Sequence, residues 1–544
     1  MPESPYEFTA GNTPDAPRSD LPDLLTALAA DLRAVEYTLD GVATLLGESA
    51  YTALNRDQTI PALLAAERAV RRDEAANALA AVVRLWLLAE PQPKETLDAA
   101  LPGLRAEGLL ALGLVEPVPG TALLAAKADL RPYGWDANED GSGGAELWVA
   151  SDLAAHQQEG VLRHDHVLGI GQASTTLVQT TFRRHTGRAL DLGTGCGIQA
   201  FHLLHHCEHV TATDISERAL AFTRFNILLN AQALSVDPDR LADRVSMRLG
   251  SLLEPVAGEE FGLVVSNPPF VITPRSAGED SSEQFTYRDG GLPGDGIVAA
   301  LVAELPAVLA PGGTAQMLGN WEVAGGTAWQ ERPQAWVGSG VDAWFIQREL
   351  VSPEEYAETW LRDASEGRDK DHYRDAYAAY LADFASRNVA GIGFGMVLLR
   401  RPASPGQAFH RFEEITYPIE QPIGPHLGAA LERQDWLAAN RIEDAHLLVA
   451  DDVTEERHQR PGAEHPGVIL LRQGAGLRRT NLLSTELAGF VSACDGDLTA
   501  GQIAGALEAL LGGEETFDAG TFRGGLLAEA ANLVRDGFLI PAME

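Results

Sequence analysis

The sequence predicts an α/β protein whose centre is a doubly wound parallel sheet, with a helical module on each side. Between residues 151 and 402, short apolar runs alternate with helical patterns, as such a sheet requires. A glycine-rich turn separates the first of these runs from a helix. A later run, residues 263–266, stops at the tetrapeptide Asn-Pro-Pro-Phe (267–270), because two consecutive prolines cannot continue a strand ladder. The chain therefore leaves the sheet at Asn267, at the carboxyl end of a strand, where open α/β sheets bind ligands.

Length, charge and cysteine content narrow the class of protein. At about 150 residues per domain, 544 residues suggest three or four domains. The formal net charge of −36 disfavours a protein that coats nucleic acid, which needs a basic surface for the phosphates. The three cysteines show no CxxC pairing, so neither a disulfide framework nor a zinc site is expected. Residues 1–20 lack the apolar core of a signal peptide, and no apolar run approaches the ~20 residues that span a bilayer, which predicts a soluble cytoplasmic protein.

Composition and periodicity divide the chain into five segments. Leucines at helical spacing begin at residue 21, and a series of helices ending in a small hairpin is typical of a winged-helix-like module. Such modules bind DNA in some proteins and serve as docking units in others, and the acidic composition favours docking. We expect a disordered tail (1–20), a helical winged-helix-like N-terminal domain (21–150), a central α/β domain (151–402, with a helical insertion at 353–386), an irregular linker (403–466) and a winged-helix-like C-terminal domain (467–544).

Seven extended runs predict the strands of the central domain. Helical patterns follow the first, second and fourth of them, beginning at Gln199, Ser216 and Gly296. The sequence Pro-Gly-Gly at residues 311–313 ends the third of these helices before the fifth strand. The predicted strands are residues 189–192, 210–213, 246–249, 263–266, 314–318, 343–349 and 395–400.

The glycine-rich turn after the first strand predicts a ligand site. It contains Asp191, Gly193, Gly195 and Gly197, and it opens a helix whose first N–H groups are free to bind a ligand. A dinucleotide fingerprint, G-x-G-x-x-G counted from Gly193, would need its third glycine at position 198, which is isoleucine. No Gly-Lys-Ser/Thr follows, so a phosphate-binding P-loop is also excluded.

The ends of the next two strands complete this site. Asp214 lies about 20 residues beyond the glycine-rich turn, where a carboxylate can accept two hydrogen bonds from a ribose diol. The alternative role for Asp214 is a structural one, as the N-cap of the following helix, a position that Ser216 can also fill. Gly250-Ser251-Leu252 offers a small residue, a hydroxyl and an apolar side chain that suit the edge and face of an adenine. The alternative there is a simple turn.

These motifs occur in an order and at spacings that resemble a known family. Residues 165–330 resemble class I S-adenosylmethionine (SAM)-dependent methyltransferases, and more narrowly the N-methyltransferase group with an Asn-Pro-Pro-Tyr/Phe motif. That group includes the release-factor glutamine methyltransferases and several rRNA, tRNA and adenine-N6 DNA enzymes. The motifs concerned are residues 191–197, 213–216, the helix with Asn226 and Asn230, residues 250–252 and residues 266–270.

The resemblance implies a Rossmann-like sheet of seven strands, of which the last, residues 395–400, is antiparallel. It implies SAM as cofactor and a segment, residues 165–174, that covers the methionine end of SAM. His164 and His166 flank Asp165, but no third ligand cluster accompanies them, so no metal is expected. The cofactor-binding residues implied are Asp191, Gly193, Gly195, Gly197, Asp214, Ile215, Ser251, Leu252 and Asn267.

The Asn-Pro-Pro-Phe stretch suits transfer of a methyl group to a planar nitrogen. The Asn267 side-chain oxygen and the Pro268 carbonyl can accept both hydrogens of an NH2 group, which directs its lone pair at the methyl and stabilises the growing positive charge. Phe270 can stack on the planar group that carries this nitrogen. We therefore expect Asn267, Pro268 and Phe270 to be the catalytic residues.

The acceptor itself is less sharply defined. The acidic composition favours a protein or peptide, and residues 287–291 (Tyr-Arg-Asp-Gly-Gly) resemble the protein-methylating members of the group. Phe270 in place of tyrosine is commoner among the RNA and DNA enzymes, so a base N-methyltransferase that stacks a flipped base on Phe270 is the alternative. A third hypothesis is a winged-helix regulator that uses the methyltransferase fold as a ligand sensor. The oligomeric state is left open.

Overall fold

The chain forms two compact units. The computed structural model describes residues 5–9, 11, 13–136, 144–158, 162–274, 291–363, 370–404, 406, 408–511 and 519–542. The first unit comprises Met1–Val178 with Arg184–Glu414, and the second comprises Ile415–Glu544 with Gln179–Arg183. In the part of the chain described, no helix has the length and hydropathy that crossing a membrane requires.

The N-terminal part of the first unit consists of helices and short antiparallel strands, of which the first strand comes before the last two helices. The helices are α1 (Pro22–Ala34), α2 (Leu39–Leu46), α3 (Glu48–Leu54), α4 (Thr59–Arg72), α5 (Asn77–Trp86), α6 (Lys94–Ala100) and α7 (Arg105–Leu112). A three-stranded sheet has the order β1-β3-β2 and consists of β1 (Gln92–Pro93), β2 (Val115–Pro117) and β3 (Leu123–Ala126). A separate hairpin pairs β4 (Asp129–Trp135) with β5 (Ala145–Ser151).

The rest of the first unit is a mixed sheet with helices, which confirms the predicted α/β class. Its helices are α8 (Gln172–Thr180), α9 (Ile198–Leu204), α10 (Glu217–Leu229), α11 (Gly296–Glu304), α12 (Glu331–Trp336), α13 (Pro353–Asp363) and α14 (Lys370–Ser386). Its strands are β6 (Thr186–Leu192), β7 (Cys207–Asp214), β8 (Val245–Leu249), β9 (Phe261–Ser266), β10 (Leu309–Ala324), β11 (Asp342–Val351), β12 (Val389–Arg400) and β13 (His410–Glu414). The predicted helical insertion at 353–386 corresponds to α13 and α14.

Within the described residues the sheet has eight strands in the order β13-β11-β12-β10-β9-β6-β7-β8. Strand β12, which contains residues 395–400, runs antiparallel to both of its neighbours, as the resemblance implies. The predicted count of seven is wrong, because β13 adds a strand parallel to β11. The register pairs Leu192 with Thr213 on one side and with Ser266 on the other, so the carboxyl ends of β6, β7 and β9 meet at one edge.

The predicted irregular linker at 403–466 is wrong. That range contains β13, a helix α15 (Gly424–Ala439) and strands β14 (His446–Val449) and β15 (Val453–His458). Strand β15 has the sequence Val-Thr-Glu-Glu-Arg-His, and its residues are exposed or half-buried, so no apolar alternation indicates it. The boundary between the two compact units falls inside the predicted linker, at residue 414.

The second unit has a hydrophobic core of its own. Leu447, Phe490, Leu533 and Phe538 are buried in it. In addition to α15, β14 and β15, its elements are β16 (Val468–Gln473), β17 (Thr480–Leu483), α16 (Thr485–Ser492), β18 (Asp495–Thr499), α17 (Ala500–Leu511), α18 (Ala519–Asp536) and β19 (Leu539–Pro541). Its sheets have the strand orders β15-β16-β17 and β18-β14-β19.

Residues 6–8 of the predicted disordered tail lie on the edge of the large sheet. The Phe8 N–H donates to the Met247 carbonyl (2.9 Å), and the Leu249 N–H donates to the Tyr6 carbonyl (2.8 Å). Strand β8 is the last strand of the sheet, so its outer backbone groups need partners, and the N-terminal arm provides two. The prediction of disorder for residues 1–20 is therefore wrong for the residues described.

The predicted boundary at 150/151 does not separate two bodies, because β5 is bonded to the sheet domain. The Asn226 side chain accepts from the Ala150 N–H (2.7 Å) and donates to the Ala150 carbonyl (2.8 Å). Asn230 does the same for Trp148, at 2.9 and 2.7 Å. The two side-chain amides, one in α10 and one at its C-cap, thus pair with the edge of β5 that is not bonded to β4. One hydrophobic core runs through both parts.

Candidate active site

A cavity of about 1120 Å³ lies at the carboxyl ends of β6, β7, β8 and β9. This is the edge of an open α/β sheet where ligands bind. Eight of the eleven site residues expected from the sequence line it, and Asp191, Gly197 and Phe270 do not. The eight are Gly193, Gly195, Asp214, Ile215, Ser251, Leu252, Asn267 and Pro268.

The three glycines of the turn have two different structural roles. Gly193 and Gly195 have φ of +75° and +58°, and a Cβ at either position would meet nothing within 4 Å. Their backbone therefore borders open space in a conformation that favours glycine. A Cβ at Gly197 would instead lie 3.2 Å from the Thr223 side chain. Gly197 thus allows α9 to approach α10. It is not among the residues that line the cavity, and its contact with the cofactor stays a prediction.

Asp191 connects the glycine-rich turn to the start of α9 through hydrogen bonds. Its Oδ2 accepts from the Thr194 hydroxyl (2.7 Å) and from the Ala200 N–H (3.0 Å), which joins the turn to the first residues of α9. Burial raises the pKa of the Asp191 carboxyl to about 7, and the nearby Asp214 charge adds to this rise. Asp191 is not among the residues that line the cavity, and its contact with the cofactor stays a prediction.

Asp214 lies on the cavity wall with both oxygens held. Oδ2 accepts from the Gly195 N–H (3.0 Å) and Oδ1 accepts from the Ser216 N–H (2.8 Å), while burial raises the pKa of the carboxyl. Each carboxylate oxygen has a second lone pair for a ligand hydroxyl. The N-cap of α10 is Ser216, whose hydroxyl accepts from the Ala219 N–H, so Asp214 does not have the structural role that was its alternative. Ile215, next to it, is 60% exposed.

Asn267 presents a buried oxygen that has no partner. Ser266 before it donates its hydroxyl to the Leu192 carbonyl (2.8 Å), which fixes the ends of β9 and β6 relative to each other. Within the described residues, the Asn267 Oδ1 is buried and accepts no hydrogen bond. Such an atom costs about 1–3 kcal/mol, and because Asn267 lines the cavity, a ligand donor can offset that cost there. The Pro268 carbonyl accepts from the Phe270 N–H (2.8 Å), which leaves one of its lone pairs free.

Phe270 is half-buried beside other aromatic rings and away from the cavity wall. Its ring centroid lies 6.5 Å from that of Phe394, with the rings at 72°. Phe394 in turn stacks on Tyr356 at 5.7 Å, and the Tyr356 hydroxyl accepts from the Ile272 N–H (2.8 Å). Phe270 therefore anchors the segment that follows Asn267, and the structure does not place it as the predicted stacking surface.

The cover segment expected at 165–174 borders the cavity through residues 166–171, 173 and 174. A buried arginine on α10 holds it in place. Arg218 donates to the Asp165 carbonyl (2.8 Å) and to both carboxylate oxygens of Asp152 (2.6 and 2.9 Å). Asp152 also accepts from the Val167 N–H (2.8 Å). The sequence does not indicate this role, because Arg218 occupies an ordinary position in a helical pattern.

Metal and thiol chemistry receive no support from the side chains. Among the residues described, no three His, Cys, Asp or Glu side chains are placed to hold a metal ion. Cys196, Cys207 and Cys494 are free and buried, and burial raises the pKa of each thiol to about 12. The thiolate is the reactive form of cysteine, so these thiols are inert at neutral pH.

Comparison with known proteins gives two family matches. Residues 152–284 match the family described as "Methyltransferase small domain", and residues 34–126 match the family described as "Domain of unknown function (DUF7059)". The first match contains the glycine-rich turn, Asp214 and Asn267. It confirms for this segment the resemblance that the motifs indicate.

Curated relatives match the same region. The ribosomal protein uL3 glutamine methyltransferase of Bradyrhizobium diazoefficiens is 29% identical over 184 residues, which are 33% of this chain and 54% of that protein. The release factor glutamine methyltransferase of Geobacter sulfurreducens is 31% identical over 178 residues, 31% of this chain and 56% of that protein. The chain thus spans about half the length of the curated relatives it matches. A solved methyltransferase from Pyrococcus furiosus aligns with a TM-score of 0.24 at 16% identity over 42% of this chain and 82% of that chain, values that carry no conclusion.

Proposed function

We propose that this chain, whose residues 152–284 match the methyltransferase small domain, is a SAM-dependent N-methyltransferase. Its acceptor is a planar amide or amino nitrogen of a protein or peptide. The observation that carries this proposal is the buried, unpartnered Oδ1 of Asn267, a residue that lines the same cavity as Asp214 and the glycine-rich turn.

The cavity fits SAM through groups that the structure leaves available. The open space at Gly193 and Gly195 admits a ligand against the backbone. Asp214 would accept from the ribose hydroxyls, and Ser251 and Leu252 would contact the adenine. SAM, when bound, supplies a methyl group on a positively charged sulfur.

The residues around Asn267 would position the acceptor. Its Oδ1 would accept one hydrogen of the acceptor NH2 group, and the free lone pair of the Pro268 carbonyl would accept the other. An amide nitrogen is a poor nucleophile because its lone pair is delocalised, so holding the lone pair in line with the methyl is the main contribution of the protein. The same two acceptors stabilise the positive charge that grows on the nitrogen.

Two observations favour a protein acceptor. The formal net charge of −36 opposes the phosphate contacts that nucleic-acid binding needs. Both curated relatives cited above are named glutamine methyltransferases, and a glutamine side chain ends in a planar NH2 group. The residues 287–290 that also favour this acceptor lie outside the described part of the chain. Since Phe270 does not line the cavity, its role as a stacking surface is not carried forward.

We propose that the two flanking modules are winged-helix-like docking units. The order α5-β1-α6-α7-β2-β3 with the sheet β1-β3-β2 supports this for the N-terminal module. In the second unit, α16-β18-α17-α18-β19 supports it too, with β14 from earlier in the chain between β18 and β19. The cytoplasmic location stays a prediction from the sequence.

Transfer of labelled methyl groups tests the proposed function. The full-length protein is incubated with methyl-labelled SAM and a fractionated cell lysate, and the product is treated separately with protease and with nuclease. We expect protease to release the label and nuclease to leave it in place. Asn267→Ala should lose the signal, and Asn440→Ala, which changes an exposed asparagine of the second unit, should keep it.

Other outcomes identify the alternatives. Label released by nuclease would show a base N-methyltransferase. Tight binding of SAM without transfer to any fraction would show a ligand sensor. Either result would overturn the proposal.

A further inference from the structure

The cavity extends to residues of the N-terminal module. Asp57, Asp129 and Arg131 line it, together with His156 from the loop after β5. Its volume of about 1120 Å³ exceeds the roughly 300–1,000 Å³ of a pocket for one drug-sized ligand. This end of the cavity therefore has room for a group of its own.

Arg131 is held there with part of its guanidinium free. Its Nε donates to Asp129, a carboxylate that is 2% exposed and also accepts from the Gln157 side chain (3.3 Å). Within the described residues, Nη1 and Nη2 of Arg131 form no hydrogen bond, and 30% of the side chain is exposed. A buried partner thus orients the guanidinium, while its two terminal nitrogens stay available for an anionic ligand.

The other charged groups at this end form a second pair. The His156 Nδ1 lies 3.3 Å from the Asp57 carboxylate, and Asp57 is itself an exposed residue. A ligand that contacts Arg131 would therefore meet a guanidinium and a carboxylate within one recess. A carboxylate next to an ammonium group, as at the end of an amino acid, is complementary to that combination.

The order of the strands places this recess relative to a bound nucleoside. Ser251, Asp214 and the glycine-rich turn follow β8, β7 and β6, which are neighbours in that order. A nucleoside held at Ser251 and Asp214 therefore directs its 5′ substituent over the turn. Asn226 bonds that turn to β5, since its side chain donates to the Cys196 carbonyl (2.9 Å) and accepts from the Ala150 N–H (2.7 Å). The recess begins where β5 ends.

We propose that Arg131 binds the α-carboxylate at the amino-acid end of SAM, so that the N-terminal module completes the cofactor pocket. The inference rests on the proposed function, because it takes SAM as the ligand. Nη1 and Nη2 donate to the carboxylate, and Asp57 receives the α-ammonium group. The matched region 34–126 ends just before Arg131, so this contact comes from the strand that follows it.

Two nucleosides that differ at this end test the inference. S-adenosylhomocysteine carries the amino-acid end, and 5′-methylthioadenosine lacks it. Removal of Arg131 alone would leave Asp129 buried without its partner, so the variant is the neutral pair D129N/R131Q. Calorimetry on the full-length protein should show S-adenosylhomocysteine binding roughly 10- to 100-fold more weakly to this variant, and 5′-methylthioadenosine binding unchanged.

The control is R84Q/E90Q, which neutralises a second arginine–carboxylate pair of the same module, away from the cavity. It should bind both nucleosides as the wild type does. Equal losses for the two nucleosides in D129N/R131Q would show a structural effect and overturn the inference. Unchanged binding of S-adenosylhomocysteine would also overturn it. Arg131 would then be available to bind a carboxylate of the methyl acceptor instead. If the wild type bound neither nucleoside, the proposed function itself would fail.

Discussion

Asn267 keeps a buried side-chain oxygen without a hydrogen bond, which lowers the stability of the fold by about 1–3 kcal/mol. A site that binds an NH2 group needs such an atom, because an acceptor already satisfied by the protein could not receive the hydrogen of the ligand. The same oxygen atom therefore lowers the stability of the fold and contributes to methyl transfer. Substitution of Asn267 should affect these two properties differently.

We expect Asn267→Ala to lower methyl transfer by about 10²–10³-fold, the usual effect of removing one polar group that stabilises a transition state. Binding of S-adenosylhomocysteine should change little, and the free energy of unfolding should not fall, because the variant loses no hydrogen bond. Single-turnover transfer and calorimetry give the two values. A variant that loses both properties together would contradict a role confined to the acceptor.

Asp214→Ala should abolish detectable binding of SAM. The carboxylate accepts from the Gly195 and Ser216 N–H groups, so its loss disturbs the turn as well as the ribose contacts. Asp214→Asn keeps the size and one acceptor oxygen, and it should bind SAM more weakly than the wild type but better than Asp214→Ala. Titration calorimetry of the three proteins checks this order. Equal affinities would refute the assigned role.

Asp191 should make stability depend on pH. Its carboxyl has a pKa of about 7 in the folded chain, and aspartate has a pKa of about 3.9 in unfolded chains. The folded state thus holds the proton more tightly, and stability falls as pH rises from about 4 to 7, by up to about 1.4 kcal/mol per pH unit. Asp191→Asn removes this dependence. Urea unfolding should therefore show that the wild type loses stability relative to Asp191→Asn as pH rises from about 4 to 7. If the unfolding free energies of the two proteins changed in parallel with pH, the raised pKa of Asp191 would be contradicted.

Individual contacts are where prediction from the sequence was weakest. Motif spacing located Gly193, Asp214 and Asn267 at strand ends that the sheet brings together, since position along a strand follows from the apolar runs. It also selected Asp191, Gly197 and Phe270, which do not line the cavity. Gly197 and Phe270 lie beyond the ends of β6 and β9, where no period relates a residue number to a side-chain direction. Asp191 lies within β6, but its position in the strand does not reveal that its side chain bonds to Thr194 and Ala200.

At the scale of elements, the N-terminal arm packs behind one wall of the cavity. Residues 6–8 pair with β8, and Gly250, which follows β8, lines the cavity. A Cβ at Gly250 would lie 3.3 Å from the Tyr6 ring, so the arm packs directly behind this part of the wall.

Deletion of residues 1–9 should therefore weaken binding of S-adenosylhomocysteine several-fold and lower the melting temperature. Glu7→Ala serves as the control, because the bridge to β8 uses backbone atoms and the Glu7 side chain is exposed. Calorimetry and thermal unfolding of the two proteins measure the effect. An unchanged affinity in the deletion would show that the arm only covers the edge of the sheet.

Elements with apolar periodicity were predictable, and polar ones were not. The strands that form the centre of the sheet are buried, and their apolar runs located them. Strand β13 reads His-Arg-Phe-Glu-Glu and was missed, because its backbone pairs with β11 while most of its side chains are polar. The N-terminal arm was missed for the same reason, since its two hydrogen bonds come from the backbone.

At the scale of the whole molecule, the two units have separate hydrophobic cores, and the cavity belongs to the first. We expect scanning calorimetry to show two unfolding transitions, because the cores can melt separately. S-adenosylhomocysteine at 100 times its Kd should stabilise one of them by about 2.7 kcal/mol and leave the other in place. A single transition that shifts as a whole would contradict independent units.

The sequence predicted the general architecture, but it did not predict the residue boundaries of the two compact units. Alternating strands and helices identified the α/β sheet, and the motifs identified its family resemblance. The predicted boundary at 150 failed because Asn226 and Asn230 join β5 to α10 through side chains, a contact that leaves no periodic pattern in the sequence.

The position of the transferred methyl group tests the central claim most directly. A protein labelled by the wild type with methyl-labelled SAM is digested, and the modified residue is identified by tandem mass spectrometry. We predict the methyl on the nitrogen of a side-chain carboxamide, with no modification by Asn267→Ala. A methyl on a lysine amine, whose lone pair needs no pair of acceptors to align it, or on a nucleobase would contradict the account.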